Sequence, residues 1–242
     1  MSDPTASGRR FLVLAPMRSE LRSVVRAFGL RRSQHPTEYR GTLGAGDVVA
    51  ALIGVGPTAA TAATASLLDR HGDVHVVVSG IAGGIDPEVP VGTTVVPETV
   101  FDLGSGEERR PAPLGEVAQS GRVATTADFI TAEHDLAALR SRGVVAVDME
   151  SAAVGAVCDE RGVPWSVFRC ISDRPHDGLA DDAVFGLLRP DGSADAAAVL
   201  RFVLRRPGRV SDLARLGRDA GKAASRAARL AARACEGQEP TG

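Results

Sequence analysis

Short runs of Val, Ile, Leu and Ala recur along the chain: "FLVLA", "VVAALIGV", "VHVVVSG", "VVAV" and "SVFRCIS". Each is separated from the next by a longer segment. Runs this short and this continuously apolar read as strands covered on both faces. Segments with helical spacing lie between them. Leu21, Val24, Val25 and Phe28 share one face of "MRSELRSVVRAFGL", and Gly29 stops it. Alternation of strand and helix implies an α/β fold layered about a central sheet.

The remaining elements follow from local chemistry. "TEYRGTLGAGDVVAALIGV" reads as a hairpin turning at Ala45-Gly46-Asp47. "PTAATAATASLLDRHG" is a helix with Pro57 at its start and Gly72 at its end. "GIAGG" and the stretch after it read as turns crossing into another strand. Residues Leu103–Val117 read as a surface loop. "RVATTADFI" is a strand running into a loop, and "TAEHDLAALRSRG" a helix. "MESAAVGAVCDERG" is a helix opened by Met149 and capped by Asp148. "ADAAAVLRFVLRR" and "VSDLARLGRDAGKAASRAARLAARA" are C-terminal helices. The expected organisation is a disordered N-terminus over 1–9, one α/β domain over 10–234 and a disordered tail over 235–242. A basic helical extension occupies 195–234.

Composition narrows the function. The chain has 242 residues, 44% of them hydrophobic, enough for a sizeable core. A net charge of −2 argues against generic nucleic-acid binding. Cys158, Cys170 and Cys235 have neither metal-ligand spacing nor an even count, which suits a reducing cytoplasm. The polar "MSDPTASGRR" start is no signal peptide, and no apolar run approaches the ~20 residues of a membrane span. The five histidines show no ligand spacing and read as structural or solvated, so no metal site is expected.

In open α/β sheets, ligands bind beyond the carboxyl ends of the strands. Met17, Arg18 and Glu20 follow the first strand. "GVGPT" and "GIAGG" follow two others, and Thr126, Asp128, Phe129 and Ile130 another. Asp148, Met149 and Glu150 follow "VVAV"; Ser172 and Asp173 follow "VFRCI". Each has a plain structural reading: Asp148 and Ser172-Asp173 as helix caps, Glu150 as a first-turn acid, Glu20 as a solvated one. "GVGPTA" fits a dinucleotide fingerprint, but the next strand ends in Ser79 and Gly80, without the ribose-binding acid. No cofactor is expected. Gathered on one rim, the acids point to a ligand, and carboxylates must do the acid–base work.

"APMRSEL", "GVGPTAA", "GIAGGIDPEVPVGTTVVP", "TADFI", "AVDMESAAVGAVC" and "FRCISD", in this order, resemble the blocks of the nucleoside phosphorylase/nucleosidase superfamily. The methylthioadenosine/S-adenosylhomocysteine nucleosidases are the branch they look most like. The resemblance implies a three-layer α/β/α sandwich around a central mixed sheet, and a homodimer. It implies that Glu20 activates water and Asp173 protonates the purine, with Ser172 beside it. It further implies that Glu150 grips the ribose hydroxyls and Met149 packs on the ribose. Phe129 would stack on the base, which the Ile130 backbone reads. Ile81 and Gly83, in the glycine turn, complete the expected binding set.

The chemistry suits these residues. A departing purine anion must gain a proton, so Asp173 needs a raised pKa, which burial supplies; Glu150 should stay ionised to hold a diol. Phosphorolytic relatives hold phosphate with arginines and a hydroxyl donor near the glycine turn. Here Ile81 stands there and Glu20 would repel the anion, although Arg18 could serve one. Hydrolysis is the expectation, phosphorolysis the alternative. A nucleoside-binding module on an inactive fold is a third.

The C-terminal stretch "LLRPDGSADAAAVLRFVLRRPGRVSDLARLGRDAGKAA" resembles the hopanoid-associated phosphorylase-like branch, which implies adenosylhopane as substrate. Methylthioadenosine or S-adenosylhomocysteine is the alternative. Arginines crowd this region, with Leu200, Val203 and Leu204 on one face and Leu213 and Leu216 on another. Such helices fit peripheral contact with the inner face of a membrane by a cytoplasmic protein.

Overall fold

The computed structural model describes residues 9–44, 46–128, 130–174 and 210–237. The order begins β1 (Arg10–Ala15), α1 (Arg18–Ala27), β2 (Arg31–Arg32), β3 (Glu38–Leu43), β4 (Gly46–Leu52), α2 (Pro57–His71) and β5 (His75–Gly84). Then come β6 (Thr94–Val95), β7 (Thr99–Asp102), β8 (Glu108–Arg109), β9 (Arg122–Thr125), α3 (Glu133–Ser141), β10 (Val144–Asp148), α4 (Ser151–Glu160) and β11 (Trp165–Asp173). A last helix, α5, spans Val210–Glu236.

One mixed sheet runs β2-β3-β4-β1-β5-β10-β9-β7-β8, with β11 joined to β5 and β6. β5 is its axis. Its first half lies parallel between β1 and β11, and its last residues, Gly83 and Gly84, pair antiparallel with β10.

Period-two alternation assigns the layers. In β1, Phe11, Val13 and Ala15 join a core with Leu21, Val24 and Phe28 of α1 and Ala228, Ala231 and Ala232 of α5. Leu12 and Leu14 point the other way, to Ala60, Leu67 and Leu68 of α2 and Val154 and Val157 of α4. The sheet is therefore covered on both faces, the expected three-layer α/β/α sandwich.

Several local readings change. "GIAGG" is no turn: it continues β5, because β10 and β11 complete its hydrogen bonding there. The hairpin reverses one residue earlier than expected, with Leu43 opposite Gly46. The presumed loop after Leu103 contains β8 and a buried Leu114, and β7 before it had no clear strand pattern. α4 starts at Ser151, leaving Met149 and Glu150 in the bend before it.

The tail also begins later than expected, since α5 runs to Glu236 and Cys235 is buried. The alanine side of α5 packs into the domain at Ala223, Ala224, Ala227 and Ala228, so that side cannot face a bilayer. The helix expected over 195–205, with Leu200, Val203 and Leu204, lies outside the described residues, as do the side chains of Leu213 and Leu216. No described helix is long and apolar enough to cross a membrane.

Candidate active site

The carboxyl ends of β5, β10 and β11 carry a buried charge cluster centred on a residue that sequence reasoning passed over. Arg169, in the middle of β11, has a side chain with no exposure. An arginine inside an apolar strand must find partners, since a lone buried charge is very costly. Its Nε donates to Asp148 Oδ2 at 2.9 Å and its Nη2 to Glu150 Oε2 at 3.2 Å. Nη2 also reaches Ser151 Oγ at 3.1 Å, and Nη1 reaches the Ile81 carbonyl at 3.3 Å. The guanidinium thus ties the end of β10, the start of α4 and the far half of β5 together.

Asp148 was expected to cap a helix opened by Met149; the helix starts two residues later, with Glu150 at its N-cap position, and Asp148 instead holds the bend before it. Its Oδ1 accepts the backbone N–H of Glu150 at 3.3 Å and of Ser151 at 3.2 Å. The Thr125 hydroxyl donates to the same oxygen at 2.7 Å and itself accepts the Ala152 N–H at 2.9 Å. With Arg169 on the other oxygen, the strand-to-helix bend at 148–151 is held on both sides. This bend aims Glu150 inward.

Glu150 is 4% exposed. Its Oε1 accepts the Gly56 N–H at 3.0 Å, and Gly56 caps the N-terminus of α2 with φ of 90°. That positive φ suits glycine and turns the amide toward the carboxylate. Burial pushes the Glu150 carboxyl up, Arg169 opposes it, and the Asp148 charge adds to the rise. The expectation of a plainly ionised Glu150 is modified accordingly. The positive end of α2, its Gly56 amide and Arg169 are what favour the anion.

Glu20 is not the solvated acid that its place on α1 suggested; it is 2% exposed. Its Oε2 accepts the Met17 N–H at 2.7 Å, which caps α1, and its Oε1 accepts the Ile81 N–H at 2.8 Å. Burial raises its pKa to about 7, with Arg169 opposing and the Glu150 charge adding. Gly80 makes room for this pair. A Cβ there would collide with the Glu20 carboxyl and lie 2.6 Å from Arg169 Nη1. A close approach, not a turn, requires this glycine.

Asp173 ends β11 opposite Gly83, after a register shift between Ile171 and Asp173. Such irregularities re-aim side chains beside sites. The Ser172 hydroxyl donates to Asp173 Oδ1 and faces the Ala82 carbonyl at 3.4 Å. Asp173 is half-buried, less enclosed than the sequence suggested. Met149 is also half-buried. The Ile130 side chain packs on the cluster of Ile85, Phe101 and Leu136. Phe129 lies outside the described residues.

The sequence matches the model of the phosphorylase superfamily over residues 10–116 and 108–205. The chain belongs to this superfamily, the nucleoside phosphorylases and nucleosidases. It is 32% identical over 165 residues to a 5′-methylthioadenosine/S-adenosylhomocysteine nucleosidase of Tolumonas auensis, covering 56% of this chain and 72% of that protein. Among solved structures, the corresponding nucleosidase of Colwellia psychrerythraea, in complex with adenine, superposes with a TM-score of 0.69. That match has 22% identity and covers 97% of this chain and 98% of the other. A futalosine hydrolase of Helicobacter pylori superposes with a TM-score of 0.65 at 19% identity, over 92% and 95% of the two chains. The structural matches bear on the fold, which is that of the superfamily.

For this superfamily member the structure brings Glu20, Glu150 and Ile81 together about Arg169, and Ser172, Asp173 and Gly83 at the adjoining ends of β11 and β5. Sequence reasoning missed Arg169 and Thr125; it placed the segments holding Gly56 and Gly80 on the rim without giving either glycine a contact. The signal for Arg169 was present: two acids after "VVAV" demand a buried cation, and "SVFRCIS" carries the only one within a buried-type strand. The partners of Thr125 and of the Gly56 amide left no signal, because both contacts join residues distant in sequence.

Proposed function

We propose that this protein hydrolyses the N-glycosidic bond of a 5′-modified adenosine, releasing adenine and the 5′-modified ribose. Water attacks C1′ of an oxocarbenium-like sugar and gives its proton to Glu20. The C1′–N9 bond breaks, and Asp173 supplies a proton to N7 of the leaving purine. Glu150 accepts the ribose hydroxyls, with Met149 against the sugar face. Phe129 and the Ile130 backbone hold the base.

The observation that carries the reading is the placement of Glu20. Its carboxylate takes the Met17 and Ile81 N–H groups, donors that a phosphate ion would otherwise use, and its charge opposes phosphate. A pKa raised to about 7 suits a base working near neutral pH. Adenine release, measured with and without phosphate, tests the reading. Equal rates are expected; strict dependence on phosphate would make the protein a phosphorylase. Asp173→Asn should abolish release while nucleoside binding persists, and an unchanged rate would remove Asp173 from the mechanism. Binding without turnover by the native chain would favour the nucleoside-binding module.

For the 5′ group two substrates are proposed. The curated relative at 32% identity favours methylthioadenosine and S-adenosylhomocysteine. The resemblance of residues 187–224 to the hopanoid-associated branch favours adenosylhopane. Faster turnover of short methylthio groups than of long apolar ones would decide against the lipid. A homodimer is proposed from the resemblance to the nucleoside phosphorylase/nucleosidase superfamily, and sedimentation of the native chain tests it.

A further inference from the structure

A second polar site lies on the outer surface, between α1 and α5. The two helices meet at small residues: the Ser23 and Ser225 hydroxyls are 3.4 Å apart, beside Gly221. Small side chains at the contact leave an open groove of about 740 Å³ above it. Arg22 and Arg26 of α1 and Arg218, Lys222, Arg226 and Arg229 of α5 line it, all exposed. No acid is among the described residues lining it. Asp219 stands nearby and pairs with Lys222 at 3.4 Å, and Arg226 donates to the Gly92 carbonyl at 2.8 Å.

Six cations around one groove repel one another, and this chain carries a net charge of −2, so the cluster is local and not a general excess. Surfaces ordinarily intersperse the two signs. The floor adds hydroxyls: Ser19, Ser23 and Ser225 line it. The Ser23 and Ser225 hydroxyls donate to the Ser19 and Gly221 carbonyls, so the guanidinium groups are the donors left for phosphate oxygens, which guanidinium binds in a fork. No aromatic residue is among the described residues lining the groove, which therefore offer no platform for stacked bases.

We propose that this groove binds the phosphate groups of a polyanionic ligand, either a soluble polyphosphate or the headgroups of an anionic lipid surface. The site is separate from the buried cluster around Arg169 and does not depend on the reaction assigned to it. Titration of the full-length protein with pyrophosphate or ATP tests the soluble source. Co-sedimentation at low salt with phosphatidylcholine vesicles, with and without phosphatidylglycerol, tests the lipid source and with it the peripheral membrane contact.

Binding in one arm is expected, weakened by salt. In the variant Arg26→Glu/Arg229→Glu it should fall at least about tenfold, since each surface cation contributes to anion attraction. The rate of adenine release should be unchanged. Should that variant not fold, Arg22→Gln/Lys222→Gln should give a smaller loss in the same arm. Absence of binding in both arms at low salt would overturn the proposal. So would equal binding to neutral vesicles, or undiminished binding by a folded variant.

Discussion

The two ends of α2 hold two buried carboxylates in opposite surroundings. At its N-terminus, the Gly56 amide meets Glu150 in a cluster where Asp148, Glu150 and Glu20 share Arg169. At its C-terminus, about 22 Å away along the axis, Arg70 and His71 close on Glu38, with Arg40 reaching it from within β3. Glu38 is 1% exposed, but it lies close beneath the surface, covered by the exposed side chains of Arg40 and Arg70, whereas Glu20 lies deep. Burial pushes both acids up. At Glu38, hydrogen bonds from His71, Arg40 and Arg70 outweigh it, and the pKa is lowered. At Glu20, one shared cation does not outweigh it, and the pKa reaches about 7. Depth and the ratio of partners to acids together separate the carboxylate whose pKa is raised from the one whose pKa is lowered.

Removing the shared cation should break this contrast most severely. Arg169→Leu leaves three acids buried without their counter-ion, and a loss of about 3–5 kcal/mol in denaturant unfolding is expected, together with activity. A variant as stable as the native chain would show that Arg169 does not hold the cluster.

Glu20→Gln should lower kcat about 10²–10⁴-fold, as for loss of a general base. In the native chain kcat/KM should fall as pH drops below about 7, where Glu20 takes up its proton. The stability effect runs the other way. A carboxyl with a raised folded pKa contributes stability that is complete below its ordinary value of 4.5 and lost as pH rises through about 7. The stability of Glu20→Gln relative to the native chain should therefore improve across that window, by on the order of 3 kcal/mol. Parallel stability curves would mean that Glu20 is not perturbed.

Gly80→Ala tests the space between the two charges. Its Cβ would push on the Glu20 carboxyl and on Arg169. Overpacking of about 1–3 kcal/mol and a lower kcat at similar KM are expected; normal kinetics would show that the pair tolerates displacement. The smallest effect should come from the other end of α2. Glu38→Gln should cost about 1–3 kcal/mol at neutral pH and leave turnover unchanged. Its lowered pKa means this stability is present above 4.5 and lost as pH falls through the folded value. A change in kcat for Glu38→Gln would erase the distinction between the two clusters.

Much of this was legible without coordinates. "FLVLA", "VHVVVSG" and "SVFRCIS" declared buried strands, and the acids after them marked the rim. Asp148 was readable as an acceptor for the N–H groups that follow it because such contacts are local, settled within three residues, although the helix starts two residues later than expected. "GIAGG" was not readable as a strand, because glycines become strand only when β10 and β11 supply partners from 60 to 90 residues away. The basic groove was half legible: the arginines of α5 stood out, but their convergence with Arg22 and Arg26 of α1 did not.

By itself, then, the sequence determined the layers, the order of the blocks and the positions of Glu20, Glu150 and Asp173 at or just beyond strand ends, since periodicity and chain direction are local properties. Only the tertiary structure decided which carboxylate carries a raised pKa, which one is tied down, and that Arg169 stands among them. A pKa sums burial and charge over every neighbour. For Glu20 those neighbours are Ile81, Glu150 and Arg169, which only the folded sheet brings together.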